Sequence, residues 1–200
     1  MNVIEKEYIR HYHKLLSKLN GVGTPEALGW FNKTTQEKRF EILCQIGDLN
    51  NKTVLDVGCG YGDLKIFIDK IFSNVRYIGI DYQIDNINFA KNKFAESNSI
   101  FIHDDFFRCN FPKADYIFAS GIFSYKSQET NYYQQIMVKM FAAAKIGIGV
   151  NFLKNNGNNL SSLLINHHID SISNFCKSLS PNTHIIENYL YNDFTSFVLH

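Results

Sequence analysis

No apolar run in this 200-residue chain reaches the roughly 18 residues that a membrane span needs. The start, MNVIEKEYIRHYHK, mixes charge with apolar residues and lacks the continuous apolar stretch of a secretory signal. Cysteine is sparse. Cys44, Cys59, Cys109 and Cys176 stand far apart with no C-x-x-C pair, which excludes a disulfide scaffold and points to a reducing, cytoplasmic setting. An excess of either charge is also missing: 20 basic against 19 acidic side chains leave a formal charge of +1. A protein held mainly by nucleic-acid phosphates or by an anionic membrane needs more, so neither partner is expected. No internal repeat and no interdomain linker is visible. What is present is core: 45% of residues are hydrophobic and 20% charged, in a length that suits one domain. The asparagine-rich run 155–159 reads as surface loop.

Helical spacing opens the chain. Ile4, Tyr8, Tyr12, Leu15, Leu16 and Leu19 recur as the inner face of an amphipathic helix over 1–19. Thr24 and Pro25 open a short turn, and Thr34-x-x-Glu37 has the spacing of a capping box for a second helix with Phe40, Leu43, Cys44 and Gly47 inward. Residues 1–49 therefore form a helical cap, continuous with a domain over 50–200. From there strands alternate with helices. Strand candidates are 53–57, 75–80, 100–103, 114–119 and 145–152, and Ile84, Ile87, Lys91 and Phe94 share one helix face. Ser127 is placed to cap the helix carrying Ile136 and Met140. This alternation predicts an α/β fold, a Rossmann-like doubly wound sheet of seven strands with helices on both faces. The runs 184–191 and 194–199, separated by Asn192-Asp193 alone, predict an antiparallel hairpin at the end of a mostly parallel sheet.

The stretch Val54-Leu-Asp-Val-Gly-Cys-Gly-Tyr-Gly-Asp63 turns the first strand into a helix. Gly58, Gly60 and Gly62 let a ligand approach the backbone where a Cβ would collide, and the following helix start offers unpaired N–H groups. A dinucleotide fingerprint reads G-x-G-x-x-G and places a pyrophosphate there. Here the spacing is G-x-G-x-G, with Asp56 two residues before the first glycine. A carboxylate at that point repels a pyrophosphate and suits an ammonium. S-adenosylmethionine (SAM) carries an ammonium, a sulfonium and no phosphate, so the loop favours SAM over NAD. Asp81, followed by Tyr82, ends the second strand and can accept both hydroxyls of an adenosine ribose, which serves either cofactor. After the third strand, Asp104-Asp105-Phe106 offers an acid for the adenine amino group and a ring for its face. Asp105 is the preferred acid because Phe106 follows it directly.

In VLDVGCGYGD, YIGIDY, HDDF and ADYIFASGIF, in that order and at the usual intervals, the chain resembles the class I SAM-dependent methyltransferases over about residues 34–200. ALGW, QEKRF, NFL and NDFTSF also look like a group of short bacterial members. The resemblance implies that Asp56, Gly58, Cys59 and Gly60 meet the methionine part of SAM, with Gly62 completing the loop. It gives Asp81 and Tyr82 the ribose, Asp105 and Phe106 the adenine, and Ser120 the wall beside the sulfonium. It places Trp30, Gln36 and Arg39 over the cofactor as a lid, with anchoring of the cap by packing as the alternative role of Trp30.

Methyl transfer from a sulfonium is an in-line displacement. It asks the protein to align donor and acceptor, exclude water and, for a hydroxyl acceptor, take a proton. Candidates for that last task are Tyr125, just after the fourth strand, and His103, each with a plain packing role as its alternative. No metal is expected: His167-His168 lacks a third spaced ligand. Where amino-methylating enzymes of nucleic acids carry N-P-P-[YF] or D-P-P-Y, this chain reads Ala119-Ser-Gly-Ile-Phe123. With no separate recognition domain, a small-molecule O- or N-acceptor leads, enclosed by the cap, the 153–168 connection and the hairpin. An RNA or protein methyltransferase and a SAM-binding module without turnover are the alternatives.

Overall fold

The computed structural model describes residues 1–155, Gly157 and 163–200. Most of the asparagine-rich run lies outside them. The described strands are β1 (Thr53–Val57), β2 (Arg76–Asp81), β3 (Ile100–His103), β4 (Ala114–Ala119), β5 (Ala144–Leu153), β6 (Thr183–Glu187) and β7 (Asp193–Leu199). They form one sheet in the order β3-β2-β1-β4-β5-β7-β6. Pairing is parallel from β3 through β5, and β7 runs antiparallel to both β5 and β6. The helices are α1 (Val3–Asn20), α2 (Lys33–Leu43), α3 (Asp63–Asp69), α4 (Ile84–Lys93), α5 (Tyr132–Ala143) and α6 (Ile169–Leu179).

The strand sequences explain the two-sided burial. In β1, Leu55 and Val57 point to one face and Val54 to the other, as a period of two requires. Leu55 and Val57 meet Ile117, Ile148 and the α5 residues Ile136 and Met140. Val54 meets Phe118, Leu64 and Ile68 of α3, and Leu43 of α2. Strands buried on both faces read as continuous apolar runs, which is why TVLDV and ADYIFA stand out in the sequence. From β1 the chain proceeds outward to β2 and β3, then returns to place β4 on the other side of β1. Val57 and Ala119 end side by side, and the connections leaving them diverge. Such a divergence leaves a crevice at the strands' carboxyl ends.

Several local expectations are corrected. α1 is rotated from the expected orientation: it buries Lys6 and Ile9 and half-buries Tyr12 and Leu16, while Ile4, Tyr8, Leu15 and Leu19 face outward. The α2 cap is Asn32, whose Oδ1 accepts from Thr35 N at 2.9 Å, one turn earlier than the Thr34 box. In α4, Ile87 and Ala90 are buried, whereas Ile84 and Lys91 are exposed. Ser127 does not cap α5, which starts after Asn131; its hydroxyl donates instead to Glu5 on α1 at 3.1 Å. The β6–β7 connection is residues 188–192, longer than two, and Asp193 already belongs to β7. Asn188 at φ 65° turns the chain there, and the Tyr189 hydroxyl lies 2.8 Å from that of Thr195, folding the connection onto the sheet.

Candidate active site

A cavity of about 770 Å³ occupies the crevice between the ends of β1, β2 and β4, within the size range of small-molecule sites. The loop after β1 forms its floor. Gly58 at φ 77° and Gly60 at φ 53° take left-handed conformations that side chains rarely adopt. A Cβ on Gly58 would stand 2.1 Å from Ile122, and one on Gly60 2.7 Å from Leu28. The glycines thus make room for side chains that close over the loop, as well as for a ligand. Leu28 comes from the 3-10 turn Glu26–Leu28 of the N-terminal cap.

Two buried carboxylates face this floor. Asp56 accepts from the Tyr77 hydroxyl at 2.5 Å. Burial pushes its pKa up to about 7 against the opposing pull of that hydrogen bond. Asp81 accepts from Gly60 N at 2.9 Å and Gln83 N at 2.8 Å, tying the glycine loop to the start of α4. Burial raises its pKa too, and the two amide donors oppose the rise. The Asn86 side chain is a third hydrogen-bond partner of Asp81, so three of a carboxylate's roughly four acceptor positions are in use. Among the described residues neither Asp56 nor Asp81 forms an ion pair. Tyr82 also lines the cavity, and its buried hydroxyl has no hydrogen-bond partner among the described residues.

The cap supplies the roof. Trp30 stands against Gly121, where a Cβ would approach its ring to 3.0 Å, and the Arg39 guanidinium lies 4.9 Å from the Trp30 ring centroid. Arg39 also makes a bidentate pair with Asp193 at 2.8 and 2.6 Å, joining α2 to β7. Gln36 donates to Asp63 at 3.1 Å, at the first residue of α3. From α1, His13 reaches in between two loops. Its Nδ1 lies 2.7 Å from Gln83 Nε2 and its Nε2 lies 2.5 Å from the Tyr125 hydroxyl. Burial lowers the imidazole to about 4, so it is neutral at pH 7. With the Gln83 amide donating to Nδ1, the ring proton sits on Nε2 and is given to the Tyr125 oxygen. Burial raises the Tyr125 pKa, so its phenol keeps its own proton.

The remaining sequence-derived candidates divide. Cys59 lines the cavity, with its thiol held up by burial, and so do Phe106 and Ser120. Ser120 donates to Asn151 at 2.7 Å. Gly62 lies behind the loop, packed towards Phe94 and Phe101. Asp105 is absent from the lining, and its carboxylate pairs with Lys6 of α1 at 2.5 Å and accepts from Phe107 N at 3.1 Å. His103 is exposed, 3.1 Å from the Tyr82 carbonyl, and is also outside the lining. His13, Gln83 and Asp193 were not among the sequence candidates. Each acquires its place only through contacts between distant segments.

Comparison with known proteins gives the family and the fold. A family model described as "Methyltransferase domain" matches residues 48–192, well over half of the chain. The chain belongs to this methyltransferase-domain family. A fatty-acid O-methyltransferase of Mycolicibacterium smegmatis is 30% identical to this chain over 69 residues, covering 34% of this chain and 25% of that relative. This chain thus matches about a quarter of that relative's length. Among solved structures, magnesium protoporphyrin IX methyltransferase from Synechocystis PCC 6803 with bound SAH aligns at a TM-score of 0.70. It has 14% identity and covers 99% of this chain and 98% of its own. The DhpI–SAH complex aligns at 0.71 with 11% identity, covering 96% and 95%. At these identities the structures show a shared fold.

Proposed function

We propose that this methyltransferase takes its methyl group from SAM and delivers it to an oxygen or nitrogen of a small-molecule acceptor. The observation that carries the reading is the pair of buried carboxylates, Asp56 and Asp81, facing a glycine-floored cavity without a cation of their own. Burying such groups is costly unless a ligand completes them. An ammonium suits Asp56, and a ribose hydroxyl suits the acceptor position left on Asp81. A pyrophosphate suits neither. Bound there, SAM supplies a methyl carbon already activated by its sulfonium.

The chain's own residues then align and exclude water. Asp56 holds the ammonium end, Asp81 the sugar, and Phe106 covers the adenine. The Asp105 side chain takes part only if Lys6 shares it. Trp30, Leu28 and Ile122 shield the reacting region, and removing water from it strengthens every polar contact inside. Tyr125 is a neutral phenol that acts as a hydrogen-bond donor to the acceptor or as part of the roof, since burial works against its serving as a phenolate base. His103, turned to the Tyr82 carbonyl, takes no part. The roof of α1, Trp30 and the Arg39–Asp193 pair leaves a chamber suited to a small acceptor, lined largely by apolar residues such as Ile9, Phe40, Leu153 and Leu164.

Transfer of label from methyl-tritiated SAM tests this reading. The protein is incubated with a panel of hydroxylated and amino metabolites, with total RNA and with a protein extract. Label in the small-molecule fraction is expected; label confined to RNA or protein overturns the small-acceptor reading.

A further inference from the structure

The outward face of α1 has no role in the site, yet it exposes a row of large apolar side chains. Ile4 is 81% exposed, Tyr8 64%, Leu15 50% and Leu19 72%. At 100° per residue these four fall within an arc of about 60°. They are four of the six residues that sequence periodicity assigns to a buried face; the other two, Tyr12 and Leu16, are half-buried. The helix has two candidate faces, and the fold buries the one with Lys6, Ile9 and His13. A contiguous stripe left outside in this way marks an interaction surface.

The charges beside the stripe identify the partner. Arg10, Lys14 and Lys18, spaced four apart, make a neighbouring basic stripe, and all three are exposed. The outward acid there, Glu7, is already paired with Arg10 at 2.9 Å. A second copy packed antiparallel about a two-fold axis would set this basic flank against itself, so self-association is disfavoured. Nucleic acid would match the charge and waste the apolar stripe. An anionic bilayer surface satisfies both, with the aliphatic side chains entering the headgroup boundary and the lysines meeting lipid phosphates. Phe31 and Tyr191 line the cavity and are themselves 86% and 81% exposed, so its mouth is apolar as well. The formal charge of +1 conceals this patch, where Arg10, Lys14 and Lys18 face the single acid Glu7. No helix among the described residues is long and apolar enough to cross a membrane; lying on one asks only for the two stripes.

We infer that the outer face of α1 docks this protein on an anionic membrane surface. The test is co-sedimentation with phosphatidylcholine vesicles, with and without about one third phosphatidylglycerol. The parent pellets with the anionic vesicles, and added salt weakens the association. Ile4→Asp with Leu15→Asp, and separately Lys14→Glu with Lys18→Glu, each lower the bound fraction about tenfold. Both variants keep the parent's circular dichroism and SAH affinity, which separates lost docking from lost folding. Equal pelleting of the parent with neutral and anionic vesicles overturns the inference. So do variants that bind like the parent. A parent dimer that the aspartates dissolve, without vesicle binding, overturns it in favour of a second copy.

Discussion

Asp56 is the residue on which the donor reading leans most. Its carboxyl, raised by burial to about 7, ionises only as the pH passes that value, and a ligand ammonium favours the ionised form. SAH affinity should therefore rise about tenfold from pH 6 to pH 8. Asp56→Asn should weaken binding and flatten that rise, and a variant with the parent's pH profile would contradict the assignment. For the ligand-free fold the sign is opposite. The folded chain keeps the Asp56 proton between the unfolded value near 4 and about 7, so this group makes stability decline as pH rises across that window. Gly60→Val gives a second check at the same scale. It forces a branched side chain to φ 53° and into Leu28, so SAH binding should be lost by titration while the far-UV spectrum persists. The floor residues were legible in the sequence because Asp56, Gly58, Cys59 and Gly60 fall within five consecutive positions and their spacing carries the chemistry. His13 was not. It meets Tyr125 across 112 positions and Gln83 across 70, and no local pattern marks such a contact.

At the scale of elements, the cap is fastened by polar contacts that cross the crevice. On one side Glu5 accepts from Ser127 Oγ and Gln128 N; on the other Lys6 reaches Asp105. His13 touches both sides. If α1 is a lid, His13→Ala and Tyr125→Phe should each speed SAH dissociation, read from the fluorescence of Trp30, the sole tryptophan. The double variant should be no faster than the singles, since both remove one contact; additive effects would assign the two residues separate roles. The Arg39–Asp193 pair fastens α2 and is nearly fully buried. Arg39→Ala should cost about 3–5 kcal/mol in urea unfolding by leaving Asp193 buried alone, whereas Arg39→Met with Asp193→Leu should cost far less. Equal losses would show that the charges themselves hold the element. Periodicity located α1 and missed its orientation, because both of its faces carry apolar residues and only the crevice decides which is buried. The hairpin was legible as a pair of strands, but its turn was misplaced. Asp193 reads as a turn residue until its partner, 154 positions away, is known.

For the whole molecule, alternating strands and helices specified the doubly wound architecture, and the antiparallel β7 distinguishes it from an all-parallel sheet. That much followed from periodicity, since every central strand is buried on both faces. The architecture puts the ends of β1, β2 and β4 at one crevice, which is why Asp56, Asp81 and Ser120 converge although they are spread over 65 residues of chain. The roof of the cavity was not legible, because Leu28 with Trp30, Leu164 and Asp193 come from three separate segments. The central claim is that this crevice is a methyl-donor site. Calorimetric titration of the purified chain with SAH, with NADH as the control, tests it most directly. The account predicts micromolar SAH binding and no heat from NADH. A folded sample that binds NADH and leaves SAH in solution would contradict it.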